Sequence, residues 1–377
     1  MPDNHPIIAW NEAGVAKSAR WRSETATPPP KHVVIADDRI SADAAFRLVC
    51  EGTALLWRGD FQNARQLLQA LARRAEAKPR KRQAETAAMA FHWHRQAQSQ
   101  RARILNQLLI PFDADHGVPL RRAPDVRLAC AAAYGVEKDA QPYIASLRGL
   151  QGLIGAYEWR KNGVEVPLLG ARIHPHYGVF APVRGEYLTL VGQTPLPGMA
   201  SAFDIGTGTG VLAALLAKRG VKHIVATDND PRALACAAEN LERLGFGGQV
   251  VVTQADLYPE GRANLVVCNP PWVPARPGSP LDQAIFDPDS RMLKGFLSGL
   301  AAHLAPGGEG WLILSDFAEH LGLRSRAELL AEISAAQLVV LEKIDVKPIH
   351  PRSMDSSAPL HAARKAEVTS LWRLAPC

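Results

Sequence analysis

The chain has 377 residues, 47% hydrophobic and 21% charged, with a formal net charge of +6 at pH 7; that length exceeds one ordinary core and implies two or three packed units. Together with a mean hydropathy of -0.09, this balance excludes a disordered or membrane-embedded chain. No stretch reaches the roughly 18 uninterrupted apolar residues of a membrane helix, residues 1–27 lack the apolar core of a signal peptide, and the five scattered cysteines without C-x-x-C spacing point to neither a zinc site nor disulfides, so a cytoplasmic protein with reduced thiols is expected.

Residues 1–32 end in Pro28-Pro29-Pro30 without sustained periodicity and read as a flexible arm. Residues 33–152 read as a basic, mostly helical recognition domain. In "GDFQNARQLLQALARR", Asp60 predicts an N-cap, and Phe61, Ala64, Leu67, Leu68 and Leu71 recur at three- and four-residue steps on one face. The same start explains Arg58-Gly59-Asp60 better than an adhesion motif does. Further helices are predicted over 83–109 and 125–150. From Arg73 to Arg127 there are twelve Lys/Arg (Arg73, Arg74, Lys78, Arg80, Lys81, Arg82, Arg95, Arg101, Arg103, Arg121, Arg122, Arg127) against five acids. Such a positive face suits a polyanion such as RNA through counterion release; it is equally the pattern of a solvated helical surface.

Residues 153–198 read as a β-hairpin connector, because Asn162-Gly163 in "YEWRKNGVEVPLL" separates two short alternating runs. From Ser201 the pattern becomes strand, glycine turn, helix, repeated: "AFDI", "VLAALLAKRG", "HIVATD", "PRALACAAENLERLG", "QVVVTQAD", "NLVVCN", a long loop, a helix over 290–304, "GWLILS", a helix over 323–335, then "LVVLEKIDV" and "EVTSLWRL". Alternation of this kind predicts a parallel sheet covered by helices on both faces. The last two strands lack an intervening helix and should pair antiparallel at the sheet edge.

"FDIGTGTGVLA" ends a strand and opens a helix, so Gly206, Gly208 and Gly210 allow a tight turn and close approach of a ligand. Read from Gly208 the string is G-x-G-x-x-A, and Asp228 lies twenty residues on at the end of the second strand, where an acid binds ribose hydroxyls. A nicotinamide and an adenosyl cofactor both satisfy this pattern. Asp204-x-Gly206-x-Gly208-x-Gly210, Asp228, Asp256 after the third strand and Asn269-Pro270-Pro271-Trp272 after the fourth together resemble the ordered motif series of class I S-adenosylmethionine-dependent methyltransferases. The resemblance spans residues 178–374. It implies a doubly wound, Rossmann-like α/β fold over 199–377, with a seven-stranded mixed sheet. It further implies that Asp204, Gly206, Gly208 and Gly210 hold the methionine end of S-adenosylmethionine, Asp228 the ribose, and Asp256 with Leu257 the adenine, next to Asn269.

Within that class, N-P-P-[YFW] resembles enzymes that methylate a nitrogen attached to a planar system: exocyclic amines of bases or the amide of glutamine. A delocalised lone pair is a poor nucleophile until acceptors gather its protons and align it with the sulfonium methyl. Asn269 Oδ1 and the Pro270 carbonyl are suited to accept those bonds, Pro270 and Pro271 stiffen the loop, and Trp272 stacks on the planar group, so Asn269, Pro270, Pro271 and Trp272 are the candidate catalytic residues, acting mainly by positioning. Upstream, "YGVFAPVRGEYLTLV" resembles the F-x-P-R-P-E-T-E segment of the release-factor and ribosomal-protein glutamine N-methyltransferases of the methyltransferase small-domain group. Phe180, Pro182, Arg184 and Glu186 are the corresponding residue types, with Arg184 displaced by one position and Tyr187 in place of an acid; the resemblance implies contact with substrate.

His92-Trp93-His94 and His174-Pro175-His176 pair histidines without an evident third ligand, so no metal site is expected. In the loop after Trp272, Asp289 is the expected cap of the next helix, and Arg352 in a later loop is a candidate substrate contact. The expected activity is N-methylation of a glutamine side chain in a translation-related protein. The alternatives are the exocyclic amine of an rRNA or tRNA base or, from another class, a NAD(P)-dependent oxidoreductase or a non-catalytic nucleic-acid-binding protein.

Overall fold

The computed structural model describes residues 6–76, 84–135, 140–279, 281–348 and 360–377. The chain divides into two units, Met1–Gln83 with His92–Glu158, and Ala84–Phe91 with Trp159–Cys377.

In the first unit, β1 (Ile7–Glu12) and β2 (Val15–Trp21) form an antiparallel hairpin. Its turn residues Ala13 and Gly14 have φ of 53° and 81°, the conformation in which a two-residue loop follows the strand twist. The arm expected over 1–32 is corrected accordingly. Its strands escape pattern reading because Ile8 is the only fully buried position of β1, so the usual in-out alternation is faint. β3 (His32–Ala36), α1 (Ala42–Cys50), β4 (Thr53–Trp57), α2 (Phe61–Glu76), α3 (Ala87–Leu105), β5 (Leu108–Phe112), α4 (Arg127–Tyr134), β6 (Tyr143–Ser146) and α5 (Leu147–Asn162) follow. The six strands form a mixed sheet in the order β1-β2-β6-β5-β4-β3.

The mostly helical domain expected over 33–152 is therefore a mixed α/β unit. Strands β4, β5 and β6 are four or five residues long and buried almost throughout. Runs so short and apolar cannot be told from helix by periodicity alone. α2 does start where its cap predicts: Asp60 Oδ1 accepts the Gln62 N–H at 2.8 Å, and Phe61, Ala64, Leu67, Leu68 and Leu71 are buried. Asp60 Oδ2 also accepts Arg121 Nε at 2.9 Å and Arg122 Nε at 2.6 Å. In the same basic stretch Arg74 pairs with Asp43 at 2.8 Å, Arg101 with Glu76 at 2.7 Å and Arg127 with Asp115 at 2.8 Å. Lys78, Arg80, Lys81 and Arg82 lie outside the described residues.

The connector is also corrected. Helix α5 continues through Asn162, and Gly163, at φ 68°, donates its N–H to Trp159 O at 2.8 Å, so Asn162-Gly163 ends a helix rather than turning a hairpin. The hairpin lies just beyond, between β7 (Val164–Val166) and β8 (Ala171–Ile173). The order then runs α6 (Glu186–Gln193), β9 (Ser201–Ile205), α7 (Val211–Lys218), β10 (His223–Asp228), α8 (Pro231–Arg243), β11 (Val250–Gln254), β12 (Ala263–Cys268), α9 (Arg291–His303), β13 (Leu304–Ser315), α10 (Phe317–His320), α11 (Arg326–Ala335), β14 (Leu338–Val346), α12 (His361–Ala366) and β15 (Thr369–Pro376).

The seven strands lie in the order β11-β10-β9-β12-β13-β15-β14, with β15 antiparallel to both neighbours as expected; the expectation that no helix separates the closing strands is corrected, because the six-residue α12 lies between β14 and β15. One face packs under α6, α7 and α8 through Val191, Leu212, Leu216 and Ala237. The other packs under α9 and α11 through Leu293, Phe296, Leu300 and Ile333. Helix α11 starts on a capping box, with Ser325 Oγ accepting the Glu328 N–H and Glu328 accepting the Ser325 N–H. Among the described residues no helix is long and apolar enough to cross a membrane.

Candidate active site

Strand order reverses between β9 and β12, and in such sheets the crevice beyond the carboxyl ends of the strands at the reversal is where ligands bind. Pairing of Cys268 with Ile205 brings the two strand exits side by side, so Asn269 follows directly beside Gly206. Four of the predicted motifs thus converge on one edge of the sheet: the glycine turn after β9, Asp228 at the end of β10, Asp256 after β11 and Asn269 after β12.

Gly206, Gly208 and Gly210 have φ of 71°, 56° and 79°, a region that favours glycine. At Gly210 a Cβ would stand 3.2 Å from the Ala237 Cα, so glycine there also lets α7 start close against α8. Asp204 is fully buried. Its Oδ2 accepts Thr207 Oγ1 at 2.7 Å and the Ala213 N–H at 3.1 Å, which ties strand to turn and to the first turn of α7. Its Oδ1 has no hydrogen-bond partner among the described residues. Burial pushes the Asp204 carboxyl up to about 6, against the lowering effect of those two donors.

Asp228 Oδ2 accepts the Gly208 N–H at 3.0 Å and Oδ1 accepts the Asp230 N–H at 3.0 Å. Burial raises its carboxyl as well. Two largely buried carboxyls with raised pKa values around one glycine turn form a site that gains from a cationic ligand, because the ligand restores the ionised form that desolvation disfavours. Asp256, the third acid, is largely exposed and pairs with Arg291 at 2.9 Å. Its neighbour Leu257, at φ 79°, accepts Thr227 Oγ1 on its carbonyl at 2.6 Å, and the Ala255 N–H donates to Asp228 O at 3.2 Å, so backbone links bind this corner to β10.

In the Asn269-Pro270-Pro271-Trp272 loop, Asn269 is half-buried and Pro270 buried. Trp272 is half-buried, and its Nε1 donates to Asn269 Oδ1 at 2.9 Å. Its carbonyl accepts from Arg324 Nη2 at 3.5 Å. The Arg184 guanidinium lies 5.2 Å from the indole centroid, within cation–π range. Arg184 Nε donates to Glu186 Oε1 at 2.7 Å and Nη1 to Glu367 Oε1 at 3.1 Å, and Ser315 Oγ donates to the same Glu367 oxygen at 2.7 Å. Of the upstream segment, Arg184 is thereby placed against the tryptophan, Glu186 and Pro182 are buried, and Phe180 is half-buried.

Residues 171–338 match the family model of the methyltransferase small domain. Of the two cofactors that suit the glycine turn, S-adenosylmethionine is the one that a methyltransferase match supports. The chain is similar to the release factor glutamine methyltransferase of Cereibacter sphaeroides, 38% identical over 144 residues covering 37% of this chain and 48% of that protein. It is also similar to the tRNA1(Val) (adenine(37)-N6)-methyltransferase of Shewanella loihica, 28% identical over 165 residues covering 41% of this chain and 68% of that protein. A methyltransferase structure from Pyrococcus furiosus overlays with a TM-score of 0.42 at 19% identity, covering 59% of this chain and 98% of that one. The chain spans about half the length of the release-factor relatives it matches.

Several groups around the site carry no signal in sequence spacing. Glu367 meets Arg184, 183 positions away, and is held by Ser315, because β13 and β15 are neighbours. Asp287, not Asp289, caps α9: its carboxylate accepts the Met292 and Leu293 N–H groups at 3.1 and 3.2 Å, while Asp289 sits at φ 57°. A Pro follows Asp287 and pins the loop, a cue present in "FDPDS". Arg352 lies outside the described residues. His174 Nδ1 meets Arg160 O at 2.7 Å and His176 Nε2 meets Glu239 at 2.8 Å, and among the described residues no cluster of three or more His, Cys, Asp or Glu could hold a metal.

Proposed function

We propose that the chain is a cytoplasmic, S-adenosylmethionine-dependent N-methyltransferase whose acceptor is a glutamine side chain of a translation-related protein. The observation that carries this reading is the pairing of Cys268 with Ile205, which sets the amide of Asn269 beside the glycine turn. Bound in that turn, S-adenosylmethionine supplies an electrophilic methyl on a sulfonium. The chain's own groups then do the positioning. Asn269 Oδ1 and the Pro270 carbonyl accept the two N–H bonds of the acceptor, Pro270 and Pro271 fix the directions of those carbonyls, and Trp272 covers the planar amide and excludes water. Asp204, with a buried oxygen lacking a partner among the described residues, fits a cationic cofactor. Asp228, already accepting the Gly208 N–H, fits ribose hydroxyls, and Asp256 with Leu257 the adenine.

The second reading, an exocyclic amine of a base in rRNA or tRNA, is favoured by the basic stretch between Arg73 and Arg127 and by the tRNA adenine methyltransferase among the relatives. It ranks behind because Arg74, Arg101, Arg121, Arg122 and Arg127 are already paired with carboxylates of the same unit. Incubating a cell extract with the chain and methyl-tritiated S-adenosylmethionine, then digesting with nuclease or protease, separates the two. Label released only by protease supports glutamine, label released only by nuclease supports the base, and no incorporation sinks both. Calorimetric binding of NADH without binding of S-adenosylmethionine would favour the oxidoreductase reading instead.

A further inference from the structure

Arg184 holds a net imbalance: one guanidinium faces two carboxylates, Glu186 at 8% and Glu367 at 6% exposure. Burial works against the charge on Arg184, and Glu367 and Glu186 more than offset it. With both acids fixed, one by the start of α6 and the other by Ser315 and the start of β15, the arginine is clamped from two separate elements. Its third neighbour is the Trp272 ring, 5.2 Å away. The indole in turn donates to Asn269 Oδ1.

We propose that Arg184, clamped between Glu186 and Glu367, is a positioning residue that holds the Trp272 ring so that its N–H selects the working orientation of the Asn269 amide. This inference rests on the reading of Asn269 as the grip on the acceptor. A side-chain amide has two nearly isosteric orientations: one presents an oxygen with two lone pairs, the other an NH2 with two donors. With the NH2 turned toward the loop, Asn269 would meet the indole N–H donor to donor, and toward an acceptor amine it would offer hydrogens where acceptors are required. The indole N–H removes that orientation, and the second lone pair of Oδ1 remains for the acceptor. Phe or Tyr at this position lacks a donor at the indole nitrogen's place. Arg184 and Glu186 on this account act through Trp272 rather than by touching substrate.

The test uses the full chain labelled with 15N-tryptophan, read by the indole N–H resonances, and needs no acceptor. The Trp272 resonance is the one lost in Trp272→Phe. In the native chain it should be shifted as a hydrogen-bonded indole and exchange slowly with solvent. In Arg184→Gln it should move toward the free-indole position and exchange about five-fold faster, the equilibrium worth of one net hydrogen bond, and Arg184→Lys should recover part of that protection. Glu367→Gln, which keeps the shape of the clamp, should loosen the same resonance in the same direction. Affinity for S-adenosylhomocysteine, measured on each variant, should stay within a few-fold of native and so report intact folding. A Trp272 resonance unaltered in both Arg184→Gln and Glu367→Gln overturns the proposal, as does a native Trp272 indole that exchanges like a free one. Failure of the native chain to incorporate tritium from S-adenosylmethionine overturns the methyltransferase reading while leaving this spectroscopic result to stand or fall separately.

Discussion

The carboxylate of Asp228 accepts the backbone N–H of Gly208 at 3.0 Å, joining the end of the second strand to the turn after the first. A hydrogen bond from a main-chain donor to a charged acceptor contributes about 1.5–3 kcal/mol, and here it orients the acid across the mouth of the proposed cofactor site. Asp228→Ala should therefore weaken S-adenosylmethionine binding by about two orders of magnitude, roughly 3 kcal/mol. Calorimetry is the measurement. An affinity within three-fold of native would remove Asp228 from the cofactor site.

Asn269→Ala is expected to act on turnover alone. Removing one positioned polar group from a transition-state site lowers rates by about 10²–10³, whereas cofactor affinity should change by no more than a few-fold. Rate and affinity measured on the same preparation distinguish these effects, and equal loss of both would place Asn269 on the cofactor instead of the acceptor.

Asp204 makes a pH prediction. Its carboxyl is raised from 3.8 to about 6 by burial. An acid raised on folding binds its proton more tightly in the native state, so the penalty for ionising it is absent below about pH 4, grows between pH 4 and 6, and is complete above that at about 3 kcal/mol. Asp204→Asn keeps an oxygen for Thr207 and Ala213 and has no such penalty. Its melting temperature relative to native should rise by several degrees between pH 4 and 7, while cofactor affinity falls at least ten-fold at pH 7.5. A melting difference that does not vary with pH would show that the buried carboxyl is not the source. In the native chain, affinity for the cationic cofactor should tighten as pH climbs through about 6.

For the RNA reading, charge reversal at Arg80, Lys81 and Arg82 should weaken RNA binding and flatten its dependence on salt, because each lost phosphate contact removes about one unit of the log–log slope. An unchanged slope in a filter-binding titration would dismiss the basic stretch as an RNA surface.

Local order in the second unit is legible along the chain. β9 is followed by a glycine turn and α7, and β10 ends on an acid followed by the amphipathic α8. The side chains of β12 are apolar but for Asn264, and β9 and β10 carry apolar runs that end at or near an acid, as a sheet covered on both faces requires. The closing strands pair antiparallel as expected, although α12 intervenes between them. In the first unit the order is not legible, because β4, β5 and β6 are short and apolar and β1 buries a single residue, so neither a period of two nor one of 3.6 has enough positions to register. At Asn162-Gly163 the glycine is informative and its meaning is not: positive φ serves a helix end as well as a hairpin.

The amino-acid sequence by itself determined which groups stand at the strand ends, since glycines, acids and Asn-Pro-Pro-Trp occupy the residues that close each strand whatever lies beyond. Tertiary structure alone decided which of them touch. Arg184, Ser315 and Glu367 come together because the final strand pairs beside β13, and Trp272 turns its N–H onto Asn269 within the setting that clamp provides. Contacts between residues so far apart in the chain depend on strand order and register, and those are set by how a whole sheet buries both of its faces at once.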